Sequence, residues 1–145
     1  MSVYIKEFDS SNEELYQIAM SIRYEVFVKE LGVDEFLELD EYDVESVHLL
    51  AFHDDIPVGT ARFRTTMEGI KLERFSVLKP FRKLKIGELL LVSILNRILP
   101  TPKLIYAHAQ KDAVSFYEKY DFHVIGEMFF EANLQHFMMI YNKNK

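Results

Sequence analysis

The stretch Leu72-Glu73-Arg74-Phe75-Ser76-Val77-Leu78-Lys79-Pro80-Phe81-Arg82-Lys83-Leu84-Lys85-Ile86-Gly87-Glu88-Leu89 decides the fold. Its first seven residues read as a strand. Lys79 to Lys85 then forms a basic loop of Lys79, Arg82, Lys83 and Lys85 with no acid, in a chain whose net charge is −6. From Ile86 to Ile98 the sequence is a strongly apolar helix, terminated by Pro100 and Pro102. A strand that enters a helix through a cationic bend builds an anion site. The helix start presents unpaired N–H groups and about half a positive charge. Several cations at that point suit a polyphosphate better than one carboxylate, and Gly87 permits close backbone approach. A solvated basic loop is the other reading of the same residues.

Upstream, Val3 to Phe8 reads as a first strand. Leu15, Ile18, Ala19, Ile22 and Val26 recur at helical spacing after the capping run Asp9-Ser10-Ser11-Asn12, and Gly32 is a stop. A helix, or two short ones, therefore fills 12–31. The acidic run from Asp34 to Glu45 is expected to be irregular. It reads as a solvated loop, or as an electronegative rim that steers a cationic acceptor. It lacks the glycine of a calcium loop, so no metal is expected. Strands follow at Val47–His53, Val58–Thr66 and Ile70–Leu78, the last two joined through Met67-Glu68-Gly69. Downstream come a strand from Leu104 to Gln110, a helix from Asp112 to Tyr120, and an antiparallel pair, Phe122–Glu131 and Leu134–Tyr141. The order β-α-βββ-α-β-α-ββ predicts an α/β fold, one mixed sheet covered by helices in a single domain over residues 1–145.

Composition narrows the function classes. Of 145 residues 49% are hydrophobic, with 12 Phe and 8 Tyr, which supplies the core of one domain and argues against disorder. The acidic balance argues against a nucleic-acid partner, because counterion release needs a basic face. Without cysteine there is no disulfide, thiolate metal site or cysteine nucleophile. The most apolar segment, Ile86 to Leu99, is broken by Glu88, Asn96 and Arg97 and is too short to cross a bilayer. No secretory signal is visible at the N-terminus, so a cytoplasmic protein is expected. Neither GxxxxGK[ST] nor a GxGxxG after a strand is present, which removes the P-loop and the dinucleotide fingerprint.

Arg82 through Gly87 resembles the acetyl-CoA motif [QR]-x-x-G-x-[GA] of the GNAT superfamily of N-acetyltransferases. Arg82 takes the first place, Gly87 the last, and Lys85 replaces the middle glycine. Gln110 to Phe122 resembles the second cofactor-side element of that family, with Ala113 and Tyr117 on its helix and Asp121 where glycine is usual. Asp visits the left-handed region more readily than most residues. Gly126–Glu131, His136–Met139 and Arg23–Glu30 resemble segments of a small bacterial branch, so the resemblance spans most of the chain in order.

The resemblance implies a mostly antiparallel sheet splayed open between the strands at Leu72–Leu78 and Leu104–Gln110. It implies acetyl-CoA as acyl donor, without a metal. The pantetheine arm would bond to the backbone of Phe75 and Val77. The diphosphate would rest on the amides from Arg82 through Ile86 and Gly87 to Glu88, with Arg82, Lys83 and Lys85 as charge partners and Gln110 and Ala113 completing the cofactor side. The acetyl group would pass by direct attack to a primary amine, carried by a small molecule or a peptide.

An amine is mostly protonated near neutral pH and cannot attack until a base, or an ordered water, takes its proton. Glu73 is the base candidate; a strand carboxylate paired with Arg64 or Arg74 is the alternative. Tyr117 matches the tyrosine that protonates the departing CoA sulfur; an aromatic anchor of its helix is the alternative. His108 and Gln110 lie two apart and share a strand face, which makes His108 a further candidate. His136 is a substrate contact or a core histidine. Two rival functions remain on these residues: a module that binds acyl-CoA without turnover, and an interaction domain with no ligand. The apolar strand Phe137–Tyr141 could pair across a homodimer or be buried within one chain.

Overall fold

The computed structural model describes residues 2–143, with positions 36 and 37 described by backbone alone. Its strands are β1 (Val3–Phe8), β2 (Val47–His53), β3 (Ile56–Thr65), β4 (Ile70–Val77), β5 (Ile105–Gln110), β6 (Phe122–Glu131) and β7 (Leu134–Tyr141). Its α-helices are α1 (Glu13–Arg23), α2 (Glu35–Glu38), α3 (Ile86–Ile98) and α4 (Val114–Glu118). Hydrogen bonding orders the strands β1-β2-β3-β4-β5-β7-β6. The one parallel pair is β4 with β5; the other registers recorded are antiparallel. Contacts divide the chain into two compact units, Met1–Arg64 with Arg74–Leu99 and Thr65–Glu73 with Pro100–Lys145.

In the first unit, Asn12 caps α1 by accepting from the Leu15 amide, and Glu13 and Glu14 lie in the first turn, where the helix dipole favours acids. Ala19 and Ile22 pack on Phe8, Leu50 and Phe52. The helix expected over 12–31 changes character at Tyr24 and runs to Glu30 as a π-helix. Ile86, Leu90, Leu91, Ile94 and Leu95 of α3 are buried, each contributing about 1.5–3 kcal/mol. Gly59 on β3 allows that approach: a Cβ there would stand 3.1 Å from Ile86 Cγ2 and 3.2 Å from the Ser76 carbonyl.

The acidic run is not a solvated loop, nor is it chiefly a steering rim. Glu38 and Asp43 are buried with Arg23 and Arg62. Arg23 pairs with Glu38 and Asp43, both at 2.7 Å. Arg62 pairs with Asp43 at 2.6 Å and Asp40 at 2.7 Å, and Arg74 with Asp40 and Glu38, both at 3.0 Å. The pairs close into a ring of alternating charge, Arg23–Asp43–Arg62–Asp40–Arg74–Glu38. The run had to carry these acids because α1, β3 and β4 each contribute an arginine that would otherwise be buried without a counter-charge.

In the second unit, Gly69 has φ +155, and a Cβ there would stand 2.2 Å from the Leu104 carbonyl, so the turn into β4 requires glycine. The parallel register of β4 and β5 holds three pairs, Ile70↔Ile105, Lys71↔Tyr106 and Leu72↔Ala107, although β5 continues to Gln110. This is the splay that the resemblance implied. The helix expected from Asp112 to Tyr120 is a 3₁₀ turn (Lys111–Ala113) followed by the short α4. Strand β7 has β5 on one side and β6 on the other. Phe137–Tyr141 is thus an interior strand, which corrects the idea that it pairs across a homodimer.

Candidate functional site

The cationic bend belongs to the first unit. After β4, Pro80 stands in the first turn of a 3₁₀ helix, Lys79–Leu84, where the sequence suggested a loop. Lys85 then takes φ +60 and ψ 28, the left-handed conformation, and α3 begins at Ile86. That conformation costs a non-glycine residue about 1–2 kcal/mol. Among the described residues, Lys85 at the start of α3 makes no side-chain capping hydrogen bond. Lys83 and Lys85 are exposed, Gly87 and Glu88 half-buried, and Ile86 buried against β3.

Arg82 is already engaged. Its Nε donates to the Val77 carbonyl at 2.8 Å, and Nη1 and Nη2 reach the two Glu30 oxygens, each at 2.5 Å. The hydrogen bond from Arg82 holds the Glu30 carboxyl below its usual range, and the same bond pushes the guanidinium up. Glu30 was not singled out by sequence reading, since a partner 52 residues away on another element leaves no local signal. The Val77 carbonyl is likewise occupied, while Phe75 is half-buried on the same strand. Glu25, Val26, Lys29 and Glu30 face Leu78 to Phe81 across an open cleft of about 470 Å³. Arg74, next to Phe75, has φ +61 within β4.

The second unit gathers the other candidates. Glu73 lies 3.4 Å from Lys71 and its side chain is 8% exposed. Arg74 pairs with Glu38 and Asp40, and Arg64 stands over the Tyr42 ring, 3.8 Å from its centroid. Tyr117 is buried beside Phe116 and Phe122. Burial raises its hydroxyl well above the ordinary value, and the Glu73 charge raises it further. The phenol therefore holds its proton at neutral pH, as a proton donor must. Gln110 and Ala113 are half-buried. Asp121 has φ +69, in the left-handed region.

His108 is 26% exposed, with Nδ1 3.2 Å from Glu131 Oε1. His136 Nε2 lies 3.8 Å from the other oxygen, Oε2, and its Nδ1 stands 2.9 Å from the Leu134 carbonyl. The His108 hydrogen bond holds the Glu131 carboxyl down at about 2, with Lys71 and His136 adding to the effect. Glu131 is a residue that sequence reading treated only as the end of a strand. Its signal was strand parity. Gln110 pairs with His136, and His136 with Phe129, so all three share one face, which Glu131, two residues on, also joins.

Three comparisons bear on this arrangement. Residues 9–143 match the family described as acetyltransferase (GNAT) domain. YjcF of Bacillus subtilis, named as an uncharacterized N-acetyltransferase, is 33% identical over 138 residues, 94% of this chain and 99% of that relative. The crystal structure of Escherichia coli ElaA superposes with a TM-score of 0.84 at 24% identity, covering 97% of this chain and all of that one (100%). The PaiA N-acetyltransferase of Thermoplasma acidophilum, solved with coenzyme A, gives 0.69 at 17% identity, covering 97% of this chain and 99% of that one. The last two likenesses speak to the fold alone.

Proposed function

The chain belongs to the GNAT acetyltransferase family and uses acetyl-CoA, and from that premise we propose that it moves the acetyl group to a primary amine by direct attack. The observation that carries the reading is the left-handed Lys85, which turns exposed cations into the start of α3. The diphosphate takes the amides from Ile86 to Glu88, with Lys83 and Lys85 as counter-charges. Arg82 joins them when it exchanges Glu30 for phosphate. PaiA, which shares the fold, is solved in complex with coenzyme A.

Chemistry follows from the second cluster. The acceptor ammonium gives one proton to a base, for which Glu73 or an ordered water is the first candidate. The nitrogen lone pair bonds to the thioester carbon and the C–S bond breaks. The electron pair leaves on sulfur, which takes the Tyr117 proton; the second nitrogen proton, shed as the amide forms, restores the phenol. Burial of Tyr117 supports this role because it keeps the phenol protonated. The acceptor is a small-molecule or peptide amine.

The test is a screen of amine acceptors with acetyl-CoA, reading free thiol and confirming product mass. Thiol release that needs both an amine and the protein, with a mass gain of one acetyl group on the amine, supports the reading. Tight CoA binding without release over a broad panel would make the protein a binding module.

A further inference from the structure

Lys71 and Glu73 on β4, His108 on β5, Glu131 on β6 and His136 on β7 share one face of the second unit. We propose that Glu131 is a positioning residue that orients His108 as the proton acceptor for the amine, an inference that rests on the transferase reading and changes its base. The geometry is that of a carboxylate behind an imidazole. Glu131 Oε1 stands 3.2 Å from His108 Nδ1. A carboxylate accepts but does not donate, so the imidazole proton resides on Nδ1 and the Nε2 lone pair is left to face solvent or substrate. The histidine is 26% exposed, so an amine can reach it.

The rest of the face fixes this arrangement. Phe129 packs edge-on to the His108 ring at 5.1 Å and stacks on His136 at 5.9 Å, which leaves the imidazole little freedom to turn. Tyr106 borders His108 on its own strand at 5.8 Å. His136 Nδ1–H donates to Leu134, so its Nε2 edge faces Glu131 Oε2 and the second oxygen is flanked as well. Lys71 lies close enough to lower the Glu131 carboxyl and also approaches Glu73 at 3.4 Å. Glu73 thus has a cation beside it, while His108 has a carboxylate behind it, the geometry of an imidazole held to accept a proton.

In the step itself, the ammonium N–H bond breaks and its proton bonds to His108 Nε2. The freed lone pair attacks the acetyl carbon as above. The imidazolium, held by Glu131, returns the proton to solvent, and one proton is released for each amide formed.

Two measurements test this with the whole protein. Histidine-selective ¹⁵N spectra should place the wild-type His108 proton on Nδ1 at high pH, and Glu131→Gln should move the ring toward the Nε2–H form. Initial rates with acetyl-CoA are then read for methylamine, a cation near neutral pH, and for hydroxylamine, which is neutral there. Glu131→Gln and His108→Gln should each lower kcat with methylamine by about tenfold or more near neutral pH. The loss should shrink toward high pH and with hydroxylamine, while CoA affinity stays within about twofold. A wild-type His108 already in the Nε2–H form, or variants equally active at every pH and with both acceptors, overturns the proposal and leaves the transferase reading standing. A wild type that binds no CoA overturns the transferase reading and with it the catalytic role of the pair.

Discussion

Both oxygens of Glu30 grip the guanidinium of Arg82, 52 residues along the chain, while the same arginine's Nε holds the Val77 carbonyl. In the proposed function an incoming diphosphate competes with Glu30 for Arg82. Replacing Glu30 by Gln removes the competitor. Since a partly exposed ion pair is worth about 0.2–1 kcal/mol, CoA affinity should rise by up to about fivefold in isothermal titration. Arg82→Ala should weaken it. A Glu30→Gln variant with lower affinity would show that the pair shapes the site rather than shields it.

The ring of Arg23, Arg62 and Arg74 with Glu38, Asp40 and Asp43 should dominate stability. Asp43→Asn strips one charge from between two buried arginines, a change that costs about 3–5 kcal/mol. Thermal unfolding should show Tm lowered by on the order of 10 °C; a shift within two or three degrees would mean the arginines find other partners.

Acid should act through the same ring. Arg62 holds Asp40 down at about 2, and Arg23 holds Asp43 below its usual range, each against the opposing effect of burial. Carboxyls lowered in the folded state stabilise it above the unfolded value near 4, and this is lost as pH falls toward 2. His48, kept low by burial, adds a loss that begins below about 6.5, because the unfolded chain takes up its proton first. Denaturant midpoints should therefore fall from near neutral pH downward, most steeply below 4. A flat profile to pH 3 would contradict the ring's weight.

What the sequence made legible, and what it hid, divides along physical lines. Helix α3 was readable to its ends because Ile86 and Ile98 bound an apolar run closed by prolines, and the final pair, β6 and β7, was read to its bounds. Lys85 and Asp121 stood out in the sequence only through the family pattern; both have positive φ. The acidic run was misread because charge composition says nothing about burial: Asp43 looks solvated until Arg23 and Arg62 are brought to it by two other elements. Glu131 and Glu30 were missed for the same reason, since each partner lies on a distant strand or turn.

Lys85→Gly separates conformation from charge. Relief of the left-handed lysine should stabilise the fold by about 1 kcal/mol, while loss of its ammonium lowers CoA affinity a few-fold. Calorimetric unfolding together with CoA titration reads both. A destabilised variant would mean the Lys85 stem packs on the bend; undiminished affinity would remove it from the phosphate site.

For Tyr117→Phe, loss of a proton donor to the CoA sulfur should cut kcat by about 100-fold, with CoA affinity within about twofold. Because burial and Glu73 keep the phenol protonated, activity should show no loss from its ionisation even at alkaline pH. Equal turnover by the Phe variant would make Tyr117 an aromatic anchor and nothing more.

The most direct measurement is a titration of ¹⁵N-labelled protein with coenzyme A, following the backbone amides one by one. The account predicts the largest shifts at Ile86, Gly87 and Glu88, with the Arg82 side chain moving as it leaves Glu30. Silence at those three amides, with the shifts gathered elsewhere, would contradict it.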